Sequence, residues 1–234
     1  MTQKNNIAIS KKNCGIEAIK FVKDGMILGL GSGSTVMSFI EALVARIKKT
    51  GLKIYGIPTS YDTMIAARTQ GIQLLSLHDV DSVDLAIDGA DEVDPKNNLI
   101  KGAGGAFTWE KIVASNAKKF LVLIDYQKIV SYLGMIASVP VEVLPIAYRQ
   151  VTANLTSMGS IPTLRTGSGK LGPVITDFGN LIVDAKFDQI QEPIQLEHTI
   201  NHIPGVLENG IFATKKAKIL VGYPNKVEER GFDT

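Results

Sequence analysis

Four acidic side chains lie within seven residues, directly after an apolar run. They are Asp88, Asp91, Glu92 and Asp94, and the run before them, Val83 to Ile87, is predicted to be a strand. Clustered carboxylates can transfer protons, can bind a hard cation, or can simply cover an exposed turn. Because their spacing does not match a calcium-binding loop, the sequence favours proton transfer and leaves the other two interpretations open.

A lysine and a further glutamate come next along the chain. Lys101 precedes a glycine-rich loop, residues 102–106, and Glu110 opens a predicted helix that runs to Asn116. Each could be an ordinary surface charge, since an acid near a helix start is favourable by itself. Together they suggest a division of labour, in which a carboxylate removes a proton next to a carbonyl while the lysine and backbone N–H groups stabilise the resulting oxyanion.

A second glycine-rich segment, Gly29 to Thr35, lies between a predicted strand, Met26 to Leu30, and a predicted helix, Val36 to Lys48. Backbone N–H groups and hydroxyls at such a junction can bind a phosphate, although Ser34 or Thr35 could merely cap the helix. The loop has no lysine before its hydroxyl pair, as a nucleotide-binding P-loop requires, and the next strand ends without an acid for a ribose diol. The sequence therefore favours a small phosphorylated ligand over a nucleotide at this loop.

The remaining reactive side chains form no recognisable site in the sequence. His198 and His202 are four apart on a predicted helix, but no acid or cysteine completes the spacing of a zinc site. His78 and Cys14 stand alone, without the neighbours of an activated nucleophile. Trp109, next to the glutamate, could shield it from water or pack structurally. We therefore predict no metal ligands.

Short apolar runs alternate with helical patterns through the first part of the chain. Besides the elements named above, strands are predicted at Lys53 to Ile57, Ile72 to Ser76 and Phe120 to Ile124, and helices at Ile16 to Lys23 and Ser60 to Gln70. This alternation is typical of a largely parallel sheet covered by helices. In such sheets ligands bind beyond the carboxyl ends of the strands, where the glycine loop and the acids both fall.

The chain changes character at about residue 135. Prolines and glycines then punctuate short segments, including a hairpin predicted between 172–176 and 180–184, whereas Ala217 to Gly222 is apolar enough to return to the main sheet. We therefore predict an α/β fold, with a Rossmann-like, largely parallel sheet as its core and an inserted smaller α+β domain. The predicted limits are 1–134 with 213–234 for the catalytic domain and 135–212 for the smaller domain.

The bulk composition excludes several classes of protein. The 234 residues are 45% hydrophobic, enough for a large buried core, and 25 basic residues nearly balance 23 acidic ones, so no nucleic-acid partner is expected. A polar amino terminus, a single cysteine and the absence of a long apolar stretch favour a cytoplasmic protein with no membrane span. A small anionic ligand remains compatible with this composition.

Four of these segments, in this order and spacing, resemble type A ribose-5-phosphate isomerase. They are Gly31-Ser-Gly-Ser-Thr35, Asp88-Gly-Ala-Asp-Glu92, Lys101-Gly-Ala-Gly104 and Glu110-Lys111, and Ile203 to Phe212 also resembles the family's carboxyl-terminal segment. The likeness thus covers nearly the whole chain. It implies an aldose–ketose isomerase of the non-oxidative pentose phosphate pathway, which interconverts D-ribose 5-phosphate and D-ribulose 5-phosphate through a cis-enediolate.

The resemblance implies a role for each matching position. Glu110 matches the base that moves a proton between C2 and C1, and Lys101 matches the lysine that faces the developing enediolate. Asp88 and Asp91 match acids that move protons between oxygens and open the sugar ring, and which of the two opens the ring stays undecided. The implied substrate-binding residues are Ser32, Gly33, Ser34, Thr35, Asp88, Gly89, Ala90, Asp91, Lys101, Gly102, Ala103, Gly104 and Lys128, with Lys11 as a further contact at the phosphate.

The same resemblance implies no cofactor, a small-molecule sugar phosphate as partner, and a homodimer or homotetramer. The sequence departs from the family pattern at Ala103, Gly105, Trp109 and Tyr126-Gln127, which bears on affinity more than on reaction type. Two alternatives stay open: a non-catalytic sugar-phosphate sensor, and an amino-sugar phosphate isomerase and deaminase on a similar core. A sensor that regulates transcription needs a DNA-reading module, for which the roughly dozen residues before the first predicted helix are too few.

Overall fold

The structure is a computed structural model that describes residues 3–169 and 171–231. The α-helices are α1 (Gln3–Ala18), α2 (Ser34–Thr50), α3 (Tyr61–Thr69), α4 (Phe107–Asn116), α5 (Tyr148–Ser157) and α6 (Pro193–Asn201). The strands are β1 (Ile27–Leu30), β2 (Tyr55–Pro58), β3 (Gln73–Leu74), β4 (Val83–Gly89), β5 (Glu92–Val93), β6 (Leu99–Ile100), β7 (Ala117–Asp125), β8 (Val139–Val143), β9 (Ile161–Leu164), β10 (Leu181–Lys186), β11 (Val206–Asn209), β12 (Ile211–Phe212), β13 (Lys218–Gly222) and β14 (Val227–Arg230).

The chain divides into two compact units. The first unit comprises Met1–Ala90, Trp109–Lys128 and Lys215–Thr234, and the second comprises Asp91–Thr108 and Ile129–Thr214. The predicted domain limits include residues 1, 2, 170 and 232–234, which lie outside the described residues. The units differ from those limits chiefly at 91–108, which the prediction assigned to the catalytic domain. These residues cluster with the second unit because β6 pairs with β12.

The first unit is built on a seven-stranded sheet in the order β14-β13-β7-β4-β1-β2-β3. All neighbours run parallel except β13 and β14, which are antiparallel. The central strands are almost wholly buried, as their continuous apolar sequence predicts for a sheet covered on both faces. The segments that follow β1, β2, β4 and β7 consequently meet at one carboxyl edge. The prediction that Ala217 to Gly222 returns to this sheet is confirmed, since β13 pairs parallel with β7.

The first helix is longer than the sequence pattern predicts. It begins at Gln3, thirteen residues before the predicted start at Ile16, and Ile16 itself is half exposed. Its buried face carries Ser10, Cys14, Gly15 and Ala18, and a β-carbon on Gly15 would lie 2.6 Å from the backbone nitrogen of Phe39 in α2. Small residues that permit close helix packing give no hydrophobic periodicity, so the prediction missed this face.

The second unit combines two antiparallel sheets with helices α5 and α6. Its larger sheet has the order β11-β8-β10-β9, and its smaller sheet has the order β12-β6-β5. The predicted hairpin is wrong in extent. Ile175 and Leu181 form a single bridge, and the N–H of Thr176 donates to the carbonyl of Asn180, whereas β10 pairs along its length with β8 and β9.

The predicted α/β class is confirmed by this topology. The first unit has a largely parallel sheet, and most of the second, α+β unit is inserted in the chain between β7 and β13. Among the described helices, none is long and apolar enough to cross a membrane.

Candidate active site

The glycine-rich loop of the first unit joins β1 to α2 at the carboxyl edge of the sheet. Gly33 has a φ of 92° and precedes Ser34, the first residue of α2, so the chain enters the helix in a conformation that favours glycine. A β-carbon on Gly31 would collide with the carboxyl group of Asp88. The loop therefore presents the backbone N–H groups of a helix start at this edge, an arrangement that can hold a phosphate.

Asp88 lies at the end of β4 and is only 3% exposed. Its Oδ1 accepts hydrogen bonds from the backbone N–H groups of Ser32 (3.2 Å) and Gly89 (2.7 Å). On the helical side of the loop, the Nζ of Lys11 in α1 donates to the Oγ of Ser34 over 3.0 Å. The structure thus brings a predicted acid and a predicted phosphate contact to the two sides of the glycine loop.

A cluster of hydroxyl groups supports the loop from behind. The Oγ of Ser32 lies within hydrogen-bond distance of Thr59 Oγ1 (3.0 Å), Ser60 Oγ (2.8 Å) and Thr63 Oγ1 (3.2 Å). Thr63 donates to the carbonyl oxygen of Gly31 over 2.9 Å, and its side chain is fully buried. Sequence reasoning missed these three partners, although Thr59 and Ser60 follow β2 at the same carboxyl edge, which was the available signal.

Glu110 lies in the first turn of α4 and is 6% exposed. Three residues later on the same helical face, Val113 packs on β1, where a β-carbon on Gly29 would lie 2.6 Å from its Cγ1. Helix α4 connects the parallel strands β4 and β7, so it runs antiparallel to them and its first turn lies at the carboxyl edge of the sheet. Beside it, the ring of Trp109 meets that of Tyr61 edge-to-face, with 5.7 Å between centroids.

Lys128 ends a short 3₁₀ turn, Tyr126–Lys128, directly after β7, and it is half-buried. The ring of Tyr126 stacks on that of Tyr223, which follows β13, with 5.6 Å between centroids. Tyr126, which stands where the family pattern has a smaller residue, therefore packs against the residue that follows the neighbouring strand β13.

In the second unit, Asp91 holds the lysine loop closed. Its Oδ2 accepts from the backbone N–H of Ala103 over 2.9 Å, and its own N–H donates to the carbonyl of Ile100 over 2.8 Å. A carboxylate is thereby fixed against the glycine-rich segment 102–104, so the structure brings Asp91 together with the predicted loop.

Lys101 is 3% exposed, and its Nζ lies 5.4 Å from the ring centroid of Phe212. Its backbone N–H donates to the carbonyl of Gly210 over 2.9 Å, which ties the loop to the segment before β12. Arg165, which sequence reasoning did not identify, donates from Nη1 to the carbonyl oxygens of Gly102 (2.8 Å) and Ala103 (3.1 Å). No local pattern around Arg165 signals this contact, because the two acceptors lie 63 and 62 residues away in the sequence.

Two of the clustered acids are used to build the second unit. Glu92 is fully buried and accepts from the backbone N–H groups of Gly134 (2.7 Å), Ile136 and Ala137 (2.5 Å). Asp94 accepts from the N–H groups of Lys96 and Asn98, both at 2.8 Å, and so closes its own turn. Both acids are buried and accept backbone N–H groups, so they do not merely cover an exposed turn.

A third buried acid, Glu142 in β8, anchors the start of α4 within the second unit. It accepts hydrogen bonds from the hydroxyl of Thr108, from Thr176 (2.6 Å) and from the amide of Asn180 (2.9 Å). Thr108 is the second residue of α4, so this contact holds the first residues of that helix within the second unit.

The other reactive groups have structural surroundings. Within residues 3–169 and 171–231, no group of three His, Cys, Asp or Glu side chains is arranged to hold a metal ion. The ring Nδ1 of His202 lies 2.7 Å from the carbonyl oxygen of His198. Burial raises the pKa of the Cys14 thiol to about 12, which keeps it protonated and unreactive as a nucleophile.

Comparison with known proteins identifies the family to which this fold belongs. The family model for ribose 5-phosphate isomerase A (phosphoriboisomerase A) matches residues 55–226. The ribose-5-phosphate isomerase A of Thermococcus kodakarensis is 47% identical over 224 residues, which cover 95% of this chain and 98% of that protein.

Solved structures agree with the sequence comparison. The ribose 5-phosphate isomerase A structure from Methanocaldococcus jannaschii has a TM-score of 0.90 at 48% identity, and the match covers 94% of this chain and 97% of that one. A D-ribose-5-phosphate isomerase in complex with phospho-erythronic acid has a TM-score of 0.94 at 45% identity, covering 96% of this chain and 99% of that one.

The fold and these relatives define an isomerase that combines a parallel-sheet unit with a smaller α+β unit. Within that class, the chain belongs to the ribose 5-phosphate isomerase A family. The predictions of family and of isomerase class are thereby confirmed.

The hydroxyl cluster predicts a stability difference between two conservative changes. Thr63→Val keeps the side-chain shape but removes the donor to Gly31 and the contacts with Ser32 and Ser60, so we expect the free energy of unfolding to fall by about 1–3 kcal/mol. Thr63→Ser keeps the hydroxyl and should lose less. Urea denaturation followed by circular dichroism measures both, and a valine variant as stable as the unmodified protein would contradict a supporting role for the cluster.

Proposed function

We propose that this chain interconverts D-ribose 5-phosphate and D-ribulose 5-phosphate through a cis-enediolate, with Glu110 as the proton-transfer base. The observation that carries the proposal is the buried carboxyl group of Glu110 in the first turn of α4. In the forward direction, this carboxylate takes the proton from C2 of the open-chain aldose and returns it to C1. A second proton moves between the oxygens O2 and O1, so the reaction needs no external acid, base or oxidant.

The glycine loop supports recognition of the substrate phosphate. Residues Ser32 to Thr35 open α2 with backbone N–H groups at the positive end of the helix dipole, and Lys11 reaches Ser34 from α1. We assign Lys128, at the end of β7, a further contact with the substrate. These groups would hold the end of the sugar that does not react.

The aspartates are proposed to act on the sugar oxygens. Two backbone N–H groups hold one oxygen of Asp88, which fixes the direction of its carboxylate, and Gly89 and Ala90 continue the chain from it. Asp91 is held against Ala103. Either carboxylate could accept the hydroxyl proton that must leave when the ring opens, and the fixed orientation of both favours such a role.

Lys101 is proposed to stabilise the negative oxygen that develops in the enediolate. A buried ammonium group acts strongly because little water screens it, and the loop Gly102 to Gly104 adds backbone N–H groups nearby in the sequence.

We expect turnover to be independent of metal ions. All proposed steps use side chains and backbone groups, so ribulose 5-phosphate should form from ribose 5-phosphate at the same rate before and after exhaustive dialysis against a chelator. A direct ketopentose assay measures this. Activity that disappears with the chelator and returns with a divalent ion would move the acids to a metal-binding role, and ammonia release from glucosamine 6-phosphate would favour the amino-sugar alternative.

Replacing the base should separate chemistry from binding. Glu110→Gln keeps the shape of the side chain but cannot accept the proton from carbon, so we expect kcat to fall by about 10²–10⁴-fold with KM changed only a few-fold. Glu17→Gln, on the partly exposed face of α1, is a control that should retain full activity. Near-normal turnover of the Glu110 variant would refute the proposed mechanism.

We further propose that the protein works in the cytoplasm as a homodimer or homotetramer. The second unit exposes large apolar side chains, among them Leu171 (98%), Ile146 (96%) and Ile161 (71%), and Ile161 lies on β9, an edge strand of its sheet. We take these side chains as part of the contact surface between copies, because a contiguous exposed apolar patch commonly marks such a surface.

Sedimentation velocity tests the assembly. The sedimenting species should have two or four times the chain mass of 25.2 kDa. Ile161→Glu should shift the distribution toward the monomer, whereas Ile65→Glu, at a comparably exposed position of α3, should not. A species of 25.2 kDa for the unmodified protein at assay concentrations would refute the proposed assembly.

A further inference from the structure

A cavity lined by lysines opens in the first unit at the edge of the sheet opposite the glycine loop. It measures about 730 Å³ and is formed by the residues around the amino ends of β7 and β13. Five lysines are among its lining residues: Lys118, Lys119, Lys215, Lys216 and Lys218. The whole chain carries a net charge of only +2, so this concentration of positive charge is local.

Two of the five amines are paired with carboxylates. Lys118 contacts Asp84 over 2.7 Å and Lys218 contacts Glu229 over 2.6 Å. Lys215 donates to the carbonyl oxygen of Ala117 over 2.6 Å, which fastens the segment before β13 to the start of β7. In the part of the chain that the structure describes, no carboxylate pairs with Lys119, Lys215 or Lys216. The cavity therefore keeps an excess of positive charge on a fixed frame.

The floor of the cavity is apolar and partly aromatic. Phe21 is its partly exposed ring, whereas Leu85, Phe120 and Leu121, which also line it, are at most 4% exposed. The Nζ of Lys218 lies 5.3 Å from the ring centroid of Phe21. A lone phosphate would occupy little of this volume, which falls in the range of roughly 300–1,000 Å³ that organic ligands fill. A cationic rim around an apolar floor matches a ligand that carries both a polyphosphate and a flat ring.

We propose that this cavity binds a nucleoside polyphosphate, with the phosphates among the lysine amines and the base against the apolar floor. Convergent amines in a concave site focus the field and attract multivalent anions. A nucleic acid would need a basic surface extended over many phosphates, and here the excess charge is confined to one bounded cavity. The cavity is separate from the proposed catalytic residues. In this unit those residues lie at the carboxyl ends of strands or in the first turns of the helices that begin at that edge.

Calorimetric titration of ADP into the full chain tests the proposal. Saturating ribose 5-phosphate is present throughout, so that ADP cannot report on the glycine loop. We expect a dissociation constant below about 1 mM that weakens as salt is raised. Pyrophosphate carries the same number of phosphorus atoms without the base and should bind at least fivefold more weakly.

Charge-reversal variants locate the site. Lys119→Glu combined with Lys216→Glu should weaken ADP binding at least tenfold and leave isomerase activity unchanged, which also reports that the variant is folded. Lys48→Glu with Lys49→Glu, at the exposed end of α2, changes the net charge equally and should alter binding less than twofold. If the double variant does not fold, the single change Lys216→Ala should still weaken binding at least twofold.

Three results would overturn the inference: no heat of ADP binding to the unmodified protein, equal weakening by the control pair, or pyrophosphate binding as tightly as ADP.

Discussion

The close approach of the glycine loop to Asp88 is the contact on which the first unit's site depends. β1 and β4 are neighbours in a parallel sheet, and the N–H of Gly31 donates to the carbonyl of Ile87, so the chain leaving β1 runs beside Asp88, the next-to-last residue of β4. It can do so only because Gly31 has no β-carbon to strike the carboxyl group, and the N–H of Ser32 then meets Asp88. One steric condition thus sets both the path of the loop into α2 and the direction of an acidic side chain.

Two buried acids of the second unit, Glu92 and Glu142, accept hydrogen bonds from uncharged donors. Glu92 accepts three backbone N–H groups, and Glu142 accepts two hydroxyls and an amide. Such carboxylates hold loops in place, since breaking them would leave buried N–H groups without acceptors. Asp88 and Asp91 also accept backbone N–H groups, but their donors include residues of the two glycine-rich segments: Ser32, besides the adjacent Gly89, for Asp88, and Ala103 for Asp91.

The sequence predicted the strands and helices whose apolar residues form continuous runs or recur periodically. The apolar runs of β1, β4 and β7 identified central parallel strands, and the carboxyl ends of β1 and β4 located the glycine loop and Asp88. The full length of helix α1 was not predicted, because its buried face includes Ser10, Cys14 and Gly15, small residues that permit close packing but give no hydrophobic pattern. The contacts of Thr63 and Arg165 were missed for a different reason. Each side chain donates a hydrogen bond to a backbone carbonyl distant in sequence, and no local pattern indicates that partner.

The two proposed anion sites, at the carboxyl and the amino edge of the parallel sheet, would attract charge in different ways. At the carboxyl edge, glycines expose backbone N–H groups at a helix start, so the charge is partial, directional and rigid, which suits a small phosphate held in one orientation. At the amino edge, full charges sit on flexible lysine stems around an apolar floor, which gives a stronger but less directional field. An edge built in the first way can place a substrate for proton transfer, because that step tolerates little displacement. An edge built in the second way can retain a larger anion without fixing any one of its atoms.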